Sequence, residues 1–198
     1  VLEQDYPALR VVGAIDHAPA LIGRTLGTGC ASTRFADVLI SGDLESCLAG
    51  LKATPDALIH MTESKPAHIE AQLHAALDRG LNVISAAESM FYPALRFGDF
   101  AKGLDDKART MGLTLTGMGI NPGFSYDTVP LLLARATSNV SAVRIRRTID
   151  VTGTGPGDIE HVGYGLTPDA FRAGVARGDI VGHMGAPESL ALMAEYLD

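Results

Sequence analysis

Residues 56–85 read DALIHMTESKPAHIEAQLHAALDRGLNVIS, and this stretch decides the fold. Asp56–Met61 is a short apolar run of strand length. Pro66 stands where proline suits the first helical turn, Ile69, Leu73 and Leu77 follow at i, i+4 and i+8, and Gly80 supplies a helix stop. Leu81–Ser85 then makes a second strand. Strand, amphipathic helix and strand in so short a span form a βαβ unit, whose right-handed crossover makes the strands parallel.

The same alternation extends outward in both directions. Upstream, Arg10–Asp16 is a β-branched run ending in an acid, and Asp37–Ile40 is another strand. It leads into a helix whose apolar face is Leu44, Cys47, Leu48 and Leu51. Downstream, Phe100, Leu104, Ala108 and Met111 line a helix that Gly112 ends, and Leu113–Thr116 is a fifth strand. The pattern predicts an α/β chain with a Rossmann-type parallel sheet whose first strand and phosphate loop precede Val1. Residues 1–120 are expected to be a truncated dinucleotide-binding domain, and residues 121–198 the start of an α+β substrate domain. In that second part a helix runs through Val129, Leu132, Leu133 and Ala136, and Val143–Ile149 alternates with the period of a strand. Residues 153–157 are a glycine-rich loop, and Thr167-Pro168-Asp169 and Pro187-Glu188-Ser189 are helix starts.

Composition narrows the function. With 198 residues, 46% hydrophobic and 20% charged, the chain is an ordinary globular one. A formal charge of −7 disfavours nucleic acid, which is held by Lys and Arg, and points to small-molecule partners. No apolar run approaches the roughly 20 residues that span a bilayer, and no leader pattern is seen, so no membrane association and a cytoplasmic location are expected. Cys30 and Cys47 read as free, buried thiols.

In open parallel sheets, ligands bind beyond the carboxyl ends of the strands. Asp16, with His17 after it, stands where a carboxylate accepts hydrogen bonds from a cofactor's ribose. An acid there favours NAD, while Arg10, Arg24 and His17 keep NADP open. Gly27-Thr-Gly29 reads as a plain loop. Thr62 and Ser64 follow the third strand and are candidates for the cofactor's nicotinamide side; Ser64 also suits a helix cap. After the fourth strand comes Glu88, with Phe91 and Tyr92 beside it as candidate substrate contacts. Burial against these rings would raise a carboxyl pKa toward the range of a proton-transferring group. The alternative is a capping box, because Ser85 and Glu88 have S-x-x-E spacing. Thr116–Phe124 contains three glycines that allow close backbone approach to a ligand. It also carries Asn121 and Pro122, assigned to the cofactor side, and Asn121 offers both a donor and an acceptor.

Val11–Asp16, Gly80–Ser85 with Glu88 and Met90-Phe-Tyr-Pro93, Gly117–Phe124 and Gly182–Ser189 together resemble the 2,4-diaminopentanoate dehydrogenase family. Native NAD(P)-dependent amine dehydrogenases are related to it, within a wider group that has a dihydrodipicolinate reductase-like N-terminal domain. The similarity runs over nearly the whole chain; the Glu-then-Phe-Tyr-Pro and Asn-Pro-Gly-Phe segments are its specific parts. It implies an NAD- or NADP-dependent oxidoreductase acting on the C–N bond of an amine or diamino acid, with Glu88 as general base. Members are longer at both ends. Thr152–Glu160 departs from the family in being glycine-rich where charged residues are expected, which leaves the substrate open. His161 and His183, with Tyr164 and Glu188, are expected on the substrate side. No pair among them has metal-ligand spacing, so no catalytic metal is expected. A homo-oligomer is compatible with such enzymes, but no sequence feature specifies an interface. Two other readings remain at this point: a dihydrodipicolinate reductase-like enzyme for an imine or unsaturated diacid, although that enzyme's His-His…Lys signature is absent, and a non-catalytic nucleotide-sensing module.

Overall fold

The computed structural model describes residues 9–30, 33–148, 150, 162–180, 182 and 185–197. The chain is a parallel α/β structure. β1 (Ala14–Ile15) pairs in parallel with β2 (Ile40–Ser41), and β3 (Ala57–His60), β4 (Asn82–Ser85) and β5 (Leu115–Gly117) form a second parallel sheet in that order. The helices are α1 (Leu26–Gly29), α2 (Leu44–Ala49), α3 (Pro66–Asp78), α4 (Gly98–Met111), α5 (Thr128–Arg135), α6 (Pro168–Arg177) and α7 (Ala186–Leu197). Two single turns of 3-10 helix, Glu88–Met90 and Pro93–Leu95, follow β4.

The βαβ unit read from residues 56–85 is the frame of the molecule. Pro66 opens α3, and Gly80 closes it at φ +73°. Its C-terminus has the paired Schellman bonds, Leu81 N–H to the Ala76 carbonyl at 3.2 Å and Gly80 N–H to the Leu77 carbonyl at 2.9 Å. Ile69, Leu73, Ala76 and Leu77 of α3 are completely buried and meet Val83 of β4 and Phe100, Leu104 and Ala108 of α4 in one core. α3 and α4 pack against each other. Leu58, Val83 and Leu115 lie in one register row facing this core. The alternate row, Ile59, Ile84 and Thr116, faces the other way, and Ile59 is 56% exposed.

Several expectations need correction. The run Arg10–Asp16 forms ladder only at Ala14–Ile15, because β2 offers it just two paired residues. Gly27–Gly29 belongs to a one-turn helix, with Thr25 as its N-cap accepting the Thr28 N–H. Residues 143–148 form no strand; they are exposed, and no strand among the described residues lies beside them to complete a ladder. The part of the chain after residue 121 is therefore helical among the described residues. Ile149 and the glycine-rich run 153–157 lie outside them. Cys47 is buried against Gly13, whereas Cys30 is exposed; both are free. No helix is long and apolar enough to cross a membrane among the described residues.

Candidate active site

Register brings His60, Ser85 and Gly117 into one transverse row at the carboxyl ends of β3, β4 and β5. The segments leaving this row carry most of the candidate residues. Ala86 N–H donates to the His60 carbonyl at 2.8 Å and Met118 N–H to the Ser85 carbonyl at 2.9 Å, so the three strands stay tied as they leave the sheet.

Glu88 begins the 3-10 turn directly after β4 and is half-buried. The alternative, a Ser85–Glu88 capping box, does not form, because the Glu88 N–H is not bonded to Ser85. Ser85 Oγ accepts instead from Ala87 N–H at 3.2 Å, and the residue capping the turn is Ala87. Nor does Ser64 cap α3, whose N-cap residue is Lys65. Ser64 Oγ accepts from the Glu88 N–H at 3.1 Å, linking the loop after β3 to the turn after β4. Thr62 is exposed and within 2.9 Å of both His60 Nε2 and Gln72 Oε1.

His60 was not among the residues singled out from sequence. It is 4% exposed, with Nδ1 2.9 Å from Ser85 Oγ and Nε2 3.1 Å from Gln72 Oε1. Burial pushes its pKa below the usual 6.5, against a smaller opposing effect of the Gln72 bond, and so favours the neutral imidazole. The one available signal was a polar residue closing an apolar strand.

Gly117, which ends β5, and the glycines after it work differently from the expectation of ligand approach. A Cβ on Gly117 would lie 1.9 Å from the Met90 carbonyl oxygen, so the missing side chain lets the Glu88–Met90 turn seat on β5. A Cβ on Gly119 would lie 2.9 Å from the Pro122 carbonyl oxygen, and one on Gly123, at φ +122°, would lie 2.5 Å from Gly119 N. The space these residues leave is filled by the chain's own backbone. Asn121 ends in a buried Oδ1 with no hydrogen-bond partner, and Pro122 is buried.

Phe91 and Tyr92 are half-buried next to Glu88 in sequence. The Tyr92 hydroxyl donates to Glu195 of α7 at 2.7 Å, and this bond and the carboxylate's charge raise the phenol's pKa. Glu188 is buried against Arg96. Tyr164 is 69% exposed. Asp16 lies at the end of β1, half-buried, with Oδ1 accepting the Ala18 N–H at 2.7 Å; His17 beside it is exposed. β1 belongs to the other sheet. The structure therefore bonds Ser64 directly to Glu88, ties Thr62 to His60 and Gln72 instead, and leaves Asp16 and His17 just after β1, in the separate two-stranded sheet. His161 and His183 lie outside the described residues. No group of three His, Cys, Asp or Glu side chains suited to a metal occurs among the described residues.

With this arrangement in view, similarity to other proteins is informative. Residues 124–198 match the model of the 2,4-diaminopentanoate dehydrogenase C-terminal domain. A 2,4-diaminopentanoate dehydrogenase of Acetoanaerobium sticklandii is 30% identical over 162 residues, 79% of this chain and 46% of that protein. The chain is thus similar to 2,4-diaminopentanoate dehydrogenase. An amine dehydrogenase of Streptomyces virginiae is 27% identical over 151 residues, 73% of this chain and 40% of that protein. The solved structure of an amine dehydrogenase from Mycobacterium smegmatis superposes with a TM-score of 0.56 at 27% identity, covering 66% of this chain and 38% of that one. The chain spans under half the length of each of these three proteins. The superposition supports the Rossmann-like α/β fold.

Proposed function

We propose that this chain is part of an NAD- or NADP-dependent oxidoreductase that acts on the C–N bond of an amine or diamino acid, with Glu88 as its general base. The observation that carries this reading is the seating of Glu88. A carboxylate stands at the carboxyl edge of a parallel sheet, on a turn held by the neighbouring strands, in a chain whose relatives are amine dehydrogenases. We place the start of the substrate domain at residue 121, where the strand–helix alternation ends.

The residues at this edge fit a nicotinamide cofactor. The buried Asn121 Oδ1 is an acceptor without a donor, which suits a carboxamide N–H, and Thr62 adds a hydroxyl after β3. Asp16 and His17 belong on the ribose side, with Pro122 beside the nicotinamide. When bound, the cofactor takes up the hydride. Glu88 acts on either side of that event. An ammonium nitrogen has no lone pair to assist hydride departure, so the Glu88 carboxylate first takes a proton from it and leaves a neutral amine. Loss of hydride from the adjacent carbon gives an iminium. Once Glu88 has released that proton to solvent, its carboxylate accepts a proton from the water that adds to that carbon and passes it to the nitrogen, and ammonia leaves as the hydroxyl proton is lost and the carbonyl forms. Phe91 and Tyr92, with His161 and His183, are assigned to the substrate side.

The test is a screen of amines and diamino acids for reduction of NAD and NADP by the full-length gene product, with Glu88→Gln beside it. Amine-dependent reduction that falls at least about 100-fold in the variant supports the reading, in line with the usual contribution of a general base. Undiminished turnover in Glu88→Gln overturns it.

A further inference from the structure

Two consecutive backbone N–H groups at the start of the Glu88 turn are held by side-chain oxygens from outside the turn. Ser85 Oγ accepts from Ala87 and Ser64 Oγ accepts from Glu88, at 3.2 and 3.1 Å. The Ser64 contact bridges 24 residues, so it is a tertiary restraint and not a local cap. Ser85 is completely buried, and its hydroxyl is itself oriented by His60 Nδ1 at 2.9 Å. The polarity of that contact follows from the far side of the ring. Nε2 faces Gln72 Oε1, an amide oxygen that only accepts, so Nε2 carries the proton and Nδ1 accepts from the Ser85 O–H. With its hydrogen directed at the imidazole, the Ser85 oxygen presents a lone pair to Ala87 N–H. Gln72 is anchored in turn, its Nε2 donating to the His68 carbonyl of α3 at 3.1 Å. The chain α3–His60–Ser85 thus reaches the turn from one side, and Ser64 from the loop before α3.

We propose that Ser64, together with His60 acting through Ser85, are positioning residues that hold the Glu88 carboxylate in register with the reacting nitrogen. This rests on the reading of Glu88 as the base. A base works only within hydrogen-bond reach of its proton, and misplacing a reacting group by about 1 Å costs on the order of 100-fold in rate. A short 3-10 turn has too few internal bonds to provide that precision, so hydroxyls borrowed from neighbouring elements supply it.

The experiment compares wild-type full-length protein with Ser64→Ala, Ser64→Thr and His60→Gln. It reads kcat and KM for an amine substrate, and the hydrogen-exchange rate of the Glu88 amide. Ser64→Ala is expected to lower kcat by about 10-fold or more with KM within about twofold, the pattern of a lost alignment rather than lost binding. It should also speed Glu88 amide exchange by about 10-fold while Leu73 in α3 stays protected. Ser64→Thr, which keeps the hydroxyl, restores both, and His60→Gln lowers kcat in the same direction. An active wild type whose Ser64→Ala variant retains kcat, or leaves Glu88 exchange unchanged, overturns the positioning role alone. Full kcat in His60→Gln removes His60 from it. A wild type with no amine-dependent reduction of NAD or NADP overturns the base reading and the positioning role with it.

Discussion

Arg96 directs its Nε and Nη2 hydrogens at one oxygen of Glu188, each at 2.6 Å, and the other carboxylate oxygen is buried without a partner. Glu188 is completely buried, whereas the Arg96 side chain is 42% exposed. The carboxylate's loss of hydration is thus offset chiefly by these charge-assisted bonds. They fasten α7 to the segment that follows the Glu88 turn, and the Tyr92–Glu195 bond fastens the same two elements nearby.

Replacing Arg96 with Met keeps an apolar stem but strands a buried carboxylate. The expected loss is about 3 kcal/mol, at the low end for a broken buried pair because the arginine is itself partly hydrated. Tyr92→Phe removes a bond at the surface and should leave the urea midpoint nearly unchanged. If Arg96→Met shifts the midpoint no more than Tyr92→Phe does, Glu188 is not the buried anchor described above.

The core makes a second prediction. Leu73 projects from the middle of α3 and is 0% exposed. Leu73→Ala should cost about 2–5 kcal/mol through lost burial and the cavity left behind. Leu132→Ala on α5, where the side chain is 63% exposed, should cost under about 0.5 kcal/mol. Equal costs in denaturant titrations would show that α3 does not carry the core.

The βαβ unit was legible because its signals are local. Pro66, the i, i+4, i+8 leucines and isoleucine, and Gly80 all act within a few residues of one another. Period two at Val143–Ile149 is equally local, but a strand also needs a neighbour, and the described residues provide none. The same limit governs the site. Glu88 and Ser64 could be picked out as candidates, whereas their bond depends on how two loops meet, so each was assigned a helix-capping alternative that the structure does not show. His60 carries no local signal, because its partner Ser85 is 25 residues away and is brought opposite it only by strand register. The partner of the buried Glu188 is likewise remote in sequence, an arginine 92 residues earlier in the chain.

Gly117 tests the seating of the Glu88 turn directly. An added Cβ would lie 1.9 Å from the Met90 carbonyl oxygen and 2.8 Å from Phe91 N, and these are backbone atoms that cannot rotate away. Gly117→Ala should therefore push the turn off β5, costing about 1–3 kcal/mol as overpacking does, and lower amine-dependent turnover by at least about 10-fold. Gly98→Ala, at a position with open space around it, is the control. A Gly117→Ala variant with wild-type stability and turnover would mean that the turn does not rest on β5.

The buried imidazole gives the last prediction, one of sign. Burial holds the His60 pKa below 6.5 in the folded chain, while in the unfolded chain it titrates near about 6.5. Between the two values the unfolded chain binds a proton that the folded chain refuses. Stability therefore rises with pH across that window. His60's contribution is whole above about pH 6.5, declines as the solution is acidified, and stops declining below the folded pKa. His60→Gln has no such group, so the stability difference between wild type and variant should shrink on acidification from about pH 7.5 to about pH 5. The remaining histidines are the same in both proteins and cancel in that difference. Urea midpoints measured at several pH values check it, and a difference that stays flat or grows toward acid would mean that His60 is not held neutral in the folded protein.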